Sequence, residues 1–264
     1  MPRLRRRGLP VLSVNRLVPN ALTLLGLCAG LTAVRMALLD RWEVAVAAVA
    51  VAMVMDALDG RIARLMGTTS EFGAQLDSLA DAISFGVAPA LIVYLWALSD
   101  SGGIGWAVAL VFAVACTLRL ARFNTGLGAK KAQPWADRFF TGVPAPAGAG
   151  LGLLPMVLSF ELGDGILSSA WFNGFMLAAV AGLMVSTIPT FSAKRFKIPR
   201  SYLGLALIGL AALIAFLVST PWVMLGIVGL GYLASIPISV IVYRRLQARS
   251  LAGSGAVAKP PEAD

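Results

Sequence analysis

The sequence contains no histidine. That excludes a Ser-His-Asp triad, a Cys-His dyad and any His-ligated zinc site. A base or metal ligand here has to be a carboxylate, a lysine, a tyrosine, a cysteine or backbone. Cysteine is nearly absent as well: Cys28 and Cys116 each lie inside an apolar stretch. They make neither a disulfide framework nor a CxxC metal pair, and read as small packing residues. Charge is scarce, at 13% of 264 residues, against roughly 25% in an ordinary soluble domain. Apolar residues make up 58% of the chain and its mean hydropathy is +0.82. A water-soluble globule of this composition would expose large apolar patches and aggregate. What remains is a protein that crosses a membrane several times.

A helix needs about 20 mostly apolar residues to cross a bilayer. Eight segments qualify, at 19–39, 43–64, 73–98, 104–124, 144–160, 171–190, 201–219 and 222–243. The expected fold is therefore all-α, a polytopic helical bundle with about eight transmembrane helices. The second and third segments carry carboxylates, so a hydropathy window sees them weakly. The fifth is short and rich in proline, which favours a kink. The Arg-rich start resembles the n-region of a signal peptide, but no small-residue cleavage site follows, so a retained first helix is expected.

The net charge of +9 has a membrane explanation. All of the 22 cationic residues except Arg35 and Arg41 fall on one side of the alternating spans. They occupy the N-terminal tail, the second-to-third, fourth-to-fifth and sixth-to-seventh connections, and the C-terminal tail. Asp40, Glu43, Asp100, Glu161 and Asp164 fall on the other side. The positive-inside rule then places both termini in the cytoplasm, with cationic loops against anionic lipid head groups. No long basic stripe with interleaved aromatics exists, so no nucleic-acid partner is expected.

Five of the thirteen acidic residues lie between Asp56 and Asp81. Asp56 and Asp59 are three apart, and Asp77 and Asp81 four apart. On helices each pair shares a face. A short turn through Gly67 to Ser70 makes the two helices antiparallel, so all four carboxylates meet at one depth on the cytoplasmic side. Gly60 and Gly73 leave room for a ligand or a close helix. One charged carboxylate in a membrane helix costs about 2.5–3.5 kcal/mol on insertion scales. Four together also repel, so something cationic must compensate. Mg²⁺ or Mn²⁺ would suit oxygen ligands, and a metal pair about 3.5–4 Å apart serves in-line phosphoryl chemistry. Arg64, one turn beyond Asp59, suits a phosphate. The same carboxylates also fit an ion or proton path in an ion-coupled transporter, or a structural network with Arg61, Arg64 and the fourth-helix arginines.

The spacing D-x2-D-G-x2-A-R-x8-G-x3-D-x3-D runs from Asp56 to Asp81 without departure. It resembles the signature of the CDP-alcohol phosphotransferases, integral membrane enzymes that transfer a substituted phosphate from a CDP-linked donor to an alcohol and release CMP. The resemblance implies two Mg²⁺ or Mn²⁺ ions on Asp56, Asp59, Asp77 and Asp81, with Asp81 also the proton acceptor. It implies donor contacts from Asp59, Gly60, Ala63, Arg64 and Gly73, and from Asn20, Thr23 and Ser70. Softer segments at 84–90, 119–124, 140–150 and 189–196 look like those of the bacterial membrane-type phosphatidylserine synthases. On that likeness the donor is CDP-diacylglycerol and the acceptor L-serine. Glycerol 3-phosphate and inositol phosphate are the alternative acceptors.

The likeness covers about 14–196 and implies a six-helix core with two helices appended. The expected organisation is a basic tail at 1–18, the membrane core at 19–190, a cationic loop with two further helices at 191–246, and a disordered tail at 247–264. It also implies a homodimer in the cell membrane with a cytoplasmic active site. Arg119 and Arg122, three apart near the end of the fourth helix, and Asn124 after them, are the expected acceptor residues. A guanidinium clamps a carboxylate in bidentate fashion; the same arginines also read as topology-setting residues that snorkel.

Overall fold

The computed structural model describes residues 14–125, 139–191 and 203–255. The expected tail and loop cations Arg3, Arg5, Arg6, Arg7, Lys130, Lys131, Arg138, Lys194, Arg195, Lys197, Arg200 and Lys259 lie outside the described residues. Helix occupies most of each of the eight apolar segments; the sixth ends in a strand at 189–190, and 201–202 of the seventh lie outside the described residues. In an apolar surrounding, the helix is the local structure that satisfies its own backbone groups. Among the described residues, four helical stretches are long and apolar enough to cross a membrane: Leu17–Ala37, Glu71–Thr125, Ala145–Leu162 and Pro221–Ala248.

Helices α1 (Val14–Ala37) and α2 (Trp42–Leu65) form a hairpin with the most extensive helix contact in the fold. Helix α3 (Glu71–Asp81) runs on through a π-helical segment, Ala82–Val87, into α4 (Ala88–Val93) and a second π-helical segment, Tyr94–Leu98. Pro89 lacks the N–H that would bond the Phe85 carbonyl, and its ring crowds that carbonyl. The widened register of Ala82–Val87 sits there. A 3₁₀ turn and Gly102 (φ 58°) then reverse the chain into α5 (Gly102–Thr125). The 55-residue apolar stretch is thus two arms folded against each other.

Helix α6 (Ala145–Leu162) is the centre, with 61% of its span buried against 17–33% for the other three stretches. Apolar residues surround it on every side, as a central helix requires. Pro155 lies within it, and the helix continues past it to Leu162. Helix α7 (Ala170–Val185) packs on α5. Helices α8 (Leu203–Ser219) and α9 (Pro221–Gly255) follow, with α8 on α9 and α9 along α6. Helix α9 extends beyond the boundary expected at 246, because Gln247 to Ala252 contains no helix breaker; 256–264 lie outside the described residues.

The all-α expectation misses a two-stranded antiparallel sheet, β1 (Phe139–Thr141) with β2 (Pro189–Phe191). These strands, Phe-Phe-Thr and Pro-Thr-Phe, are too short to carry a periodic signal. Gly142, at φ 75°, closes the sheet against α7: a Cβ there would lie 2.7 Å from the Met184 carbonyl oxygen and 2.8 Å from that of Ser186.

Small residues let helices approach closely. Gly26 abuts Met55, and a Cβ at Gly30 would lie 2.8 Å from the Ser84 Cα. Gly103 faces open space. Overpacking costs about 1–3 kcal/mol. Gly30→Ala should therefore lower the melting temperature in detergent by about 2–10 °C, and Gly103→Ala should leave it unchanged. Equal melting temperatures in the two variants would contradict the close α1 packing.

Candidate active site

The connection from α2 to α3 sets the site. Gly67 adopts φ 61°, the Thr68 N–H bonds the Ala63 carbonyl at 3.0 Å, and the Gly67 N–H bonds the Arg64 carbonyl at 3.3 Å. This is a Schellman ending with glycine at the left-handed position. Two residues further on, the Ser70 hydroxyl accepts from the Gly73 N–H at 3.1 Å and caps α3. Between them, stop and cap turn the chain back on itself, so the last turns of α2 face the first turns of α3.

The carboxylates meet accordingly. Asp56, Asp59 and Asp77 each offer an oxygen, and these three oxygens lie within 4.8 Å of one another. Asp81 lines the same small cavity, of about 10 Å³, but stands outside that group of three. Thr23, Gly26 and Ser84 line it as well. Asp59 is 4% exposed, and Thr23 donates to its carboxylate at 2.6 Å. A divalent cation fits this donor set: the oxygens are hard, anionic, convergent and borne by helices fixed where α2 ends and α3 begins.

The other expected residues fall around this centre. Asn20 and Ser70 both face Gly73, where a Cβ would lie 3.2 Å from either side-chain oxygen. The Arg64 guanidinium lies over Gly60, 4.0 Å from the place a Cβ would take. Ala63 shares that turn, half-buried. Asn20, Thr23, Gly60, Arg64, Ser70 and Gly73 thus belong to one corner, made by the start of α1, the end of α2 and the start of α3.

The three expected acceptor residues divide. Arg119 is half-buried in α5, and its field reaches Asp56 and Asp81. Arg122 donates to the carbonyls of Val185 at 2.7 Å, Ser186 at 3.0 Å and Met184 at 3.4 Å. It satisfies the open carbonyl end of α7, which a cation suits. Asn124 donates to the Ser78 hydroxyl at 2.8 Å and ties the end of α5 to α3 between Asp77 and Asp81. Sequence reasoning missed Ser78, through which Asn124 holds α3 beside the site.

Known proteins place this geometry. A family model described as CDP-alcohol phosphatidyltransferase matches residues 16–185, and one described as CDP-alcohol phosphatidyltransferase 2 matches 202–237. The chain is similar to the CDP-diacylglycerol–serine O-phosphatidyltransferase of Mycobacterium tuberculosis, 39% identical over 236 residues, or 89% of this chain and 80% of that protein. The Helicobacter pylori protein of the same name is 37% identical over 183 residues, 69% of this chain and 74% of its own. An archaetidylserine synthase of Methanothermobacter thermautotrophicus is 34% identical over 173 residues, 65% and 68% of the two chains. Its motif carboxylates gathered between α2 and α3, and relatives matched along most of its length, the chain belongs to the CDP-alcohol phosphatidyltransferase family.

Proposed function

We propose that this protein transfers the phosphatidyl group of CDP-diacylglycerol to L-serine, giving phosphatidylserine and CMP. The observation that carries the reading is the convergence of Asp56, Asp59 and Asp77 with Asp81 on the same cavity. The relatives' shared printed activity supports serine as acceptor. Asp56, Asp59, Asp77 and Asp81 would hold one or two Mg²⁺ or Mn²⁺ ions. When bound, such an ion neutralises charge on the phosphate under attack and on the departing CMP oxygen.

The chain's own residues then divide the work. Thr23 fixes the Asp59 carboxylate. Asn20, Gly60, Ala63, Arg64, Ser70 and Gly73 receive the cytidine diphosphate part of the donor, Arg64 by its guanidinium. The acyl chains stay in the bilayer. The serine hydroxyl oxygen bonds to the diacylglycerol-side phosphorus, the bond from that phosphorus to the CMP oxygen breaks, and the serine proton passes to Asp81. Without histidine, the base is a carboxylate of modest basicity, so proton transfer accompanies attack. Arg122 is engaged by the end of α7, and Arg119 is left as the acceptor's guanidinium.

The same reading places 19–190 as the catalytic core and 191–246 as a loop with two appended helices, crossing the cell membrane eight times. Both termini and the site are cytoplasmic, and the working form is a homodimer. The fold-back at Gly102 supports two crossings within Glu71–Thr125. Helix α2, as long as α1, supports another despite its charged residues.

Purified protein with CDP-diacylglycerol and Mn²⁺ should release CMP only when L-serine is added, and EDTA should stop the release. Release with glycerol 3-phosphate or inositol phosphate but not serine would overturn the acceptor. Asp81→Asn should lower kcat about 10²–10⁴-fold while CDP-diacylglycerol binding survives; near-normal kcat would remove Asp81 as the base. Arg64→Ala should raise the KM for the donor about tenfold and leave that for serine unchanged. An equal rise in both would contradict a donor-side Arg64.

A further inference from the structure

Two hydrogen bonds between side chains reach the aspartate corner from distant parts of the chain. Thr23 donates to Asp59 at 2.6 Å and fixes a carboxylate of α2. Asn124 donates to the Ser78 hydroxyl oxygen at 2.8 Å, on the α3 side. Ser78 stands between Asp77 and Asp81, three residues before Asp81 and so on the same face of α3. Its hydroxyl in turn donates to the Ala74 carbonyl at 3.0 Å. The oxygen gives one bond and takes one, as a hydroxyl can. Through it, Asn124 is fastened to the backbone of α3.

A second contact sets the register of the same two elements. The chain from α3 into the π-helical segment Ala82–Val87 packs on α5. A Cβ at Gly86 would lie 3.2 Å from the Cys116 Cβ. Ser78 lies eight residues before Gly86, and Asn124 eight residues after Cys116. The two contacts therefore belong to one antiparallel register, and Asp81 stands between them. Asp81 is also the last α-helical residue before the backbone widens. In a π-helical turn the hydrogen bond reaches one residue further than in an α-helical one. The direction of the Asp81 side chain thus depends on where that widening begins. The Ser78 contact holds the last α-helical turn before it.

The last turn of α5 is itself braced. Arg122 grips the carbonyl end of α7. Asn124 is two residues on, about 200° around the helix, and reaches the neighbour on the other side. The Thr125 hydroxyl donates to the Arg122 carbonyl at 3.1 Å and closes the turn. One turn of α5 thus connects α7 to α3. We infer that Asn124 is a positioning residue: through Ser78 it fixes Asp77 and Asp81 on α3 opposite the carboxylates of α2. This rests on the proposed reaction and deepens it, and it takes Asn124 out of direct contact with the acceptor. Misplacing reacting groups by about 1 Å costs up to about 10²-fold in rate.

CMP release from CDP-diacylglycerol, L-serine and Mn²⁺ tests this, read well below the melting temperature of each variant. Asn124→Ala and Ser78→Ala should each lower kcat about tenfold, with the KM values for serine and donor unchanged. The double variant should lose no more than either single one, because both remove the same bond. Ser78→Thr keeps the hydroxyl and should keep kcat. Losses that multiply in the double variant, or a serine KM raised by Asn124→Ala with or without Ser78, would overturn the inference and show Asn124 acting on the acceptor itself. Unchanged kcat in both single variants would overturn it too, the bond then serving packing alone. Each of these outcomes leaves the proposed reaction standing. A wild-type protein that ignores serine would overturn both.

Discussion

Three carboxylate oxygens within 4.8 Å of one another, inside a bundle of apolar helices, repel strongly and are poorly solvated. That arrangement does not persist unless the backbone imposes it and a cation or a proton relieves it. Nearly every local feature around the site serves the first requirement. The Gly67 ending, the Ser70 cap and the Thr23 hydroxyl fix the two helices and one carboxylate before any ligand arrives. Three convergent oxygens fixed in this way could hold a divalent ion without reorganising, and fixed charges of this kind are the main resource for phosphoryl chemistry.

The rest of the bundle supports that corner from behind. The central α6 offers small residues to its neighbours: Gly148 abuts Met184, and Gly152 abuts Leu177 and Phe112. Arg122 draws the end of α7 onto α5, and Gly142 allows the β1–β2 pair to close beside it. Helix α9 is tied to this layer at Ser239 and Tyr243. Its neighbour α8 packs chiefly on α9 and stands largely outside the bundle. The last two helices therefore differ in consequence: α9 packs along the central α6, and α8 packs on α9.

Much of this was legible in the sequence, for physical reasons. Helix positions followed from apolar length, because a chain in an apolar medium must satisfy its backbone locally. The aspartate corner followed from three- and four-residue spacing and a turn through Gly67, since both are local geometry. What escaped was long-range. Arg122 looked like a ligand clamp, but its partners are carbonyls more than sixty positions away, so its spacing from Arg119 carried no information about them. The small sheet joins strands separated by two helices and is too short for a period to show. The transport reading of the cluster, open from composition and spacing alone, lost its ground once the family was established.

The central claim is that the aspartate corner exists to hold a divalent cation. Electron paramagnetic resonance of Mn²⁺ titrated into purified protein tests it without relying on turnover. Wild-type protein should deplete the free six-line Mn²⁺ signal at low metal concentration. Asp59→Asn, which keeps the shape of the side chain and removes its charge, should leave most of the ion free. Equal free Mn²⁺ in the two proteins would contradict the account, because the buried carboxylate that Thr23 holds in place would then have no part in binding the ion.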